Sequence, residues 1–252
     1  MAFTQNTLSI HVYAPALMGD DSRPVAVVHA MERAIPGLRL EWTVSDDHEL
    51  RPLPQRDAWL AQARRNGGFP LVCNNDESYP VTIFGVAESA RFGPGGQALL
   101  EVHAELPLET SGLAAAADIL EGIAEGARAF WGHATPFEAS VEISRQTRDP
   151  VRKPGVSPRG LPALKLPEKI PAPEIPARLG WLNYWSAAAA RAIGLPDPAH
   201  DAVLLSQAGR TATGGWVVRL TDAPLDLDNP AHLDALKRAY ERFPAIGGRA
   251  TP

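Results

Sequence analysis

Prolines at positions 150, 154, 158, 162, 167, 171, 173 and 176 crowd one stretch of this chain. Proline locks φ and has no amide hydrogen to donate, so neither a regular helix nor a central strand can run through such a stretch. It is read as an extended, polyproline-like connector. Lys153, Arg159, Lys165 and Lys169 stand among the prolines, and Leu161, Leu164, Leu166 and Ile170 indicate that the connector lies against apolar surface. Three segments follow from this reading: an N-terminal α/β half over 1–149, the connector over 150–176, and a C-terminal α/β half over 177–252 packed on the first.

Period-two alternation marks the strands. Leu100, Val102, Ala104 and Leu106 interleave with Glu101, His103 and Glu105, the pattern of a half-buried strand. Phe137, Ala139, Val141 and Ile143 interleave in the same way with Glu138, Ser140 and Glu142, and Leu8, Ile10 and Val12 mark a strand near the start. Weaker strand patterns span Leu38 to Val44, Val81 to Val86, Ala202 to Ser206 and Trp216 to Leu220. Steps of three and four residues predict a long helix from Ser111 to Trp131. A second helix is predicted from Asn229 and Pro230, with Leu233, Leu236, Tyr240 and Phe243 as its stripe and Pro244 as its stop. Shorter helices are expected at Pro24 to Ile35, Gln55 to Arg65 and Ala187 to Ile193, the last capped by Ser186.

The fold class that emerges is α+β, with a mixed, largely antiparallel sheet or sheets packed by helices. The two halves also share a grammar. A Gly-Gly turn, a strand, Leu106-Pro107-Leu108 and a helix in the first are echoed by Gly214-Gly215, a strand, Ala223-Pro224-Leu225 and a helix in the second. Each half reads as strand, helix, strand, hairpin, helix, either by duplication or because such turns are common.

With 252 residues, 45% of them hydrophobic, the chain can bury a core without a metal or disulfide. Its one cysteine, Cys73, excludes an internal disulfide and a cysteine-based zinc site. The first ten residues have no basic start ahead of an apolar core, and no apolar run reaches the ~20 residues of a membrane span, so a cytoplasmic location is expected. A net charge of −5 disfavours nucleic acid as a partner and suits a basic protein.

Local motifs offer little chemistry. Asp46-Asp47-His48-Glu49 reads as a solvated turn, because adjacent residues point in different directions. Asn74 to Glu77 lacks calcium-loop spacing and reads as a polar turn, and Cys73 after Leu71 and Val72 as a buried thiol. No nucleophile elbow, phosphate loop or dinucleotide fingerprint occurs, so no catalytic, cofactor-binding or metal-ligating residue is assigned. Two features suit partner binding. If the strands holding Glu101, Glu105, Glu138 and Glu142 share one sheet, those acids form one face. The segment Leu179 to Ser186 is dense in aromatics, and a partly exposed Tyr184 beside Asp222, Asp226 and Asp228 would make an interface anchor.

Several segments resemble a known family: LGWLNYWS at Leu179 to Ser186, IGLPD at Ile193 to Asp197, GGWVVRLTDAPLDL at Gly214 to Leu227 and YERFPAIGGR at Tyr240 to Arg249. With VYAP at Val12 to Pro15 and EVHAELPL at Glu101 to Leu108, the chain resembles a bacterial family of unknown function related to immunity protein family 52. The resemblance implies a cytoplasmic, non-enzymatic antidote without cofactors that binds a cognate polymorphic toxin, a restriction-endonuclease-like nuclease. The alternatives are a small metal-dependent hydrolase, whose site would be assembled from distant Asp, Glu and His residues, and a non-inhibitory scaffold.

Overall fold

A computed structural model describes residues 6–19, 21–62, 67–147 and 159–249. Prolines 150, 154 and 158, Lys153 and the boundary at 149–150 lie outside the described residues. The strands are β1 (Thr7–Pro15), β2 (Trp42–Val44), β3 (Leu50–Pro52), β4 (Phe69–Cys73), β5 (Thr82–Glu88), β6 (Leu99–Pro107), β7 (Trp131–Pro136), β8 (Leu182–Trp185), β9 (Ala208–Arg210) and β10 (Trp216–Arg219). The helices are α1 (Arg23–Ala34), α2 (Arg56–Gln62), α3 (Thr110–Ala127), α4 (Phe137–Thr147), α5 (Ala187–Ile193), α6 (Ala202–Ser206) and α7 (Pro230–Arg242).

All ten strands join one antiparallel sheet in the order β3-β2-β4-β5-β6-β1-β7-β8-β10-β9. The strands beyond the connector therefore continue the sheet begun before it. Leu8, Ile10, Val12 and Ala14 of β1 and Leu100, Val102, Ala104 and Leu106 of β6 are buried on one face, where α3 covers them with α1 packed against it. Small residues set that helix pair close together. A Cβ on Gly126 would lie 3.1 Å from the Ala26 backbone, so glycine is what lets α3 approach α1 there.

Either side of β7 the strand order is mirrored: β1, β6, β5 outward on one side and β8, β10, β9 on the other. The long helices fall on opposite faces. Tyr184 turns to α3 and donates to Glu125 Oε1 at 3.0 Å, while its neighbour Trp185 turns the other way and meets Phe243, just beyond α7, edge to face. A half-turn about an axis along β7 would exchange sides and faces in this way, so the shared grammar of the halves extends to their three-dimensional order. The first half carries the insertion β2, β3, α2, β4, and the second carries α6.

Three expected elements differ. Phe137 to Ile143 is helix α4, not a strand: Ala139, Ile143 and Thr147 are its buried stripe, and Gln146 donates to Glu142 across one turn. The alternating pattern there fits both periods, and Pro136 ends β7 before it begins. The long helix stops at Ala127 because Arg128 turns left-handed (φ 54°) and the Ala129 amide bonds back to Ala124. Trp131 therefore opens β7. Ala202 to Ser206 is a short helix next to Asp201, whose buried carboxylate is held by Arg242 at 2.6 and 2.9 Å. The remaining weaker strands and short helices form near their expected positions, and Ser186 caps α5 through the Ala189 amide.

Candidate functional site

The second face of the sheet is built differently from the first. Strand pairing places His11 opposite both His103 and His133, and Phe84 opposite His103. Four rings from β5, β6, β1 and β7 thereby form one row. Phe84 stacks on His103 at 4.8 Å, His103 meets His11 edge to face at 4.6 Å, and His11 stacks on His133 at 5.2 Å. One step along the strands Tyr13 faces Glu101 and Trp131, stacking on the latter at 4.0 Å.

Glu101 closes the group. Its Oε1 accepts from His11 Nδ1 at 3.2 Å and lies 3.4 Å from His103 Nε2. Burial raises the pKa of this carboxyl, but hydrogen bonds and positive charge from His103 and His11 outweigh burial and hold it well below the usual carboxylate range. Burial, with the Glu101 charge adding to it, pushes the Tyr13 phenol up, so it stays protonated. His133 is buried and bonds only Thr135 through Nδ1, at 3.3 Å. Burial, then the charges of His11 and Arg178, drive its pKa well below the ordinary value, and its Nε2 has no hydrogen-bond partner among the described residues.

The row is covered at one end and open at the other. Gly180 crosses directly over β7: a Cβ there would come within 2.2 Å of Thr135 Oγ1 and 2.9 Å of the His133 Cβ, so only glycine fits. Asn183 fixes this crossing by accepting from the Gly180 amide and donating to its carbonyl. Toward β5 the cover ends. His11, Glu101 and His103 keep 22 to 25% of their side-chain surface exposed, and Val86, level with Glu101, is 45% exposed. Among the described residues, His11, Glu101 and His103 form the group of histidine, cysteine and carboxylate side chains able to hold a metal ion, with one ligand atom from each within 4.8 Å of the others.

The expected carboxylate face does not assemble. Glu101 is engaged by the histidines and Glu105 stands four residues farther along β6, whereas Glu138 and Glu142 belong to α4. A different grouping forms instead. Arg159 of the connector donates to Glu142 at 3.2 Å and to Asp228 at 2.7 Å, which brings α4 beside the loop before α7, where Asp226 accepts from the Asp228 amide. Glu138, Asp222, Asp226 and Asp228 are exposed. Tyr184 is not the exposed anchor expected: it is 2% exposed and faces α3, away from those aspartates. Asp46 to Glu49 and Asn74 to Glu77 are turns, and Cys73 is buried, its thiol pKa raised by burial.

Sequence reasoning noted Glu101 and His103 on one side of a strand but missed their meeting with His11 and His133. The available signal was His11 on the polar side of β1; the missing information was the pairing of β1 with β6 across 90 residues.

Residues 19–251 match the family described as "Domain of unknown function (DUF5953)". No curated protein matches the chain in sequence. Among solved structures it is similar to the Pseudomonas aeruginosa T6SS protein PA0821, with 15% identity, a TM-score of 0.57 and coverage of 94% of this chain and 74% of that one. That likeness is one of fold. Among the described residues no helix is long and apolar enough to cross a membrane.

Proposed function

Starting from the chain's membership of the DUF5953 family of unknown function, we propose that it is an antidote: a protein that binds a cognate toxin and neutralises it without catalysis of its own. The observation that carries this reading is the fold shared over 94% of the chain with a T6SS protein, a link to bacterial competition. The toxin we propose is a nuclease of the restriction-endonuclease-like class. A nuclease presents uncompensated Lys and Arg where nucleic acid sits, and a chain of net charge −5 is complementary to it.

The exposed carboxylates of Glu138, Asp226 and Asp228 form the steering surface in this reading. Each exposed pair contributes only ~0.2 to 1 kcal/mol, so such charges act mainly on the rate of encounter. Co-expression with the toxin-like product of the neighbouring gene tests the function, and rescue of growth is the expected result. The Glu138→Lys, Asp226→Lys, Asp228→Lys variant is expected to associate with the purified toxin at least about tenfold more slowly at low salt. Equal rates would remove this surface from the reading, and failure of rescue would remove the antidote.

A second reading, a small metal-dependent hydrolase, is favoured by one observation: the His11, Glu101 and His103 set on the open part of the sheet. Release of product from a phosphoester substrate by metal-loaded protein, abolished by chelation, would favour it over the antidote.

A further inference from the structure

We infer that His11 Nδ1, Glu101 Oε1 and His103 Nε2 form a binding site for a divalent transition ion of the zinc class, with an open coordination position toward β5. This inference does not rest on the antidote reading and stands if that reading fails.

Distance is the first argument. A histidine donating to a carboxylate in a charge-assisted bond settles at about 2.7 to 2.9 Å. Here the two separations from Glu101 Oε1 are 3.2 and 3.4 Å. Two ligands each about 2.1 Å from one tetrahedral ion stand roughly 3.3 to 3.4 Å apart, so these atoms are already spaced as edges of such a polyhedron. The donor chemistry agrees, because two imidazoles and one carboxylate suit zinc and its neighbours far better than calcium or magnesium.

Rigidity is the second argument. Glu101 and His103 are two apart on β6, so their side chains leave the same face, and His11 is fixed opposite His103 by a ladder that runs the full length of both strands. Flanking rings hold the imidazoles in place, Phe84 against His103 and His133 against His11. Tyr13, opposite Glu101 in the β1–β6 register and stacked on Trp131, flanks the carboxylate.

The third argument is an unmet polar atom. His133 Nε2 is buried next to His11 without a partner among the described residues, and an unsatisfied buried nitrogen is costly. A ligand or water carried by the ion in this row would give it one. Three protein ligands and one open position describe an accessible metal, whereas a purely structural zinc is usually closed by four. Cysteine plays no part, and none of the three ligands lies within a local sequence motif.

The test uses the full-length chain, stripped of metal, with Zn²⁺ as the titrant in calorimetry and Co²⁺ as the spectroscopic probe. Saturable binding of about one Zn²⁺ per chain is expected, together with the intense visible absorption of four-coordinate Co²⁺. Replacement of His103 by Asn should weaken Zn²⁺ binding by roughly a hundredfold or more. His48→Ala, in the distant turn, should leave binding unchanged. If the His103→Asn chain fails to fold, the wild type decides: Zn²⁺ should protect His11 and His103, but not His48 or His200, from acylation by diethyl pyrocarbonate. Absence of saturable Zn²⁺ binding, equal affinity in a folded His103→Asn chain, or equal acylation of His11 and His103 with and without Zn²⁺ would each overturn the inference.

Discussion

Ile10 and Val12 turn to one face of the sheet, and His11 and Tyr13, one residue away along the same strand, turn to the other. The first face is apolar, closed by α3 with α1 packed against it, and its interactions add up over area without regard to partner. The second is a row of rings and hydrogen-bonding groups in which each atom depends on a particular neighbour, from Phe84 through His103 and His11 to His133. One backbone ladder thus serves two purposes. Stability should reside chiefly on the apolar face and chemistry on the polar one.

Adjacent substitutions on β6 put the greatest strain on that contrast. Leu106→Ala removes a fully buried side chain from beneath the helices and should lower unfolding stability by about 2 to 5 kcal/mol. Glu105→Gln, one residue earlier and on the other face, should change it by no more than roughly 0.5 kcal/mol. Urea unfolding of the two variants measures both, and comparable losses would break the comparison.

The polar face still has one structural element of its own, the Asn183 side chain that pairs with both backbone groups of Gly180. Asn183→Ala leaves those groups buried and unpaired and should cost about 1 to 3 kcal/mol. The effect should be local as well. Amide exchange of Gly180, which loses its acceptor, is expected to quicken more than that of Leu100 or Val102 on β6. Uniform acceleration would mean that the crossing over His133 is no separate unit.

The same contrast explains what the sequence makes legible. Leu100 to Leu106 announces both a strand and its buried side, and Asn229 with Pro230 announces a helix start, because periodicity and capping are local. Phe137 to Ile143 misleads because its apolar residues satisfy a period of two while Ala139, Ile143 and Thr147 satisfy a helical one. Glu138 and Glu142 consequently leave the sheet. The histidine row is out of reach for a different reason: a period of two tells which face His11 occupies but not which strand lies beside it. His11, His103 and His133 come together only through register. Tyr184 and Trp185, by contrast, point to opposite faces of β8, and both faces are covered there, so density of aromatics signals core.

The smallest expected effect concerns an ionic clamp at the edge of the apolar layer. Arg23 donates to both carboxylate oxygens of Asp21, to the Pro15 and Ala16 carbonyls at the end of β1, and to Ala127 at the end of α3. Hydrogen bonds from Arg23 outweigh burial and hold the Asp21 carboxyl at about 2, against an ordinary value of about 4. The folded state therefore binds this proton less readily than the unfolded state. The resulting stability is fully present above the ordinary value and is lost as pH falls from about 5 through 4 toward 2. At pH 4 the loss is only a few tenths of a kcal/mol, and it grows on further acidification. Glu101 is displaced in the same direction, so the slope of the wild type alone does not isolate the clamp. The Asp21→Asn chain does, because it cannot lose this term: its stability at neutral pH should be lower, and its decline between pH 5 and 3 shallower, than that of the wild type. Parallel declines in the two chains would show that Asp21 meets a similar environment folded and unfolded, and the apolar layer would then hold its edge without an ionic tie.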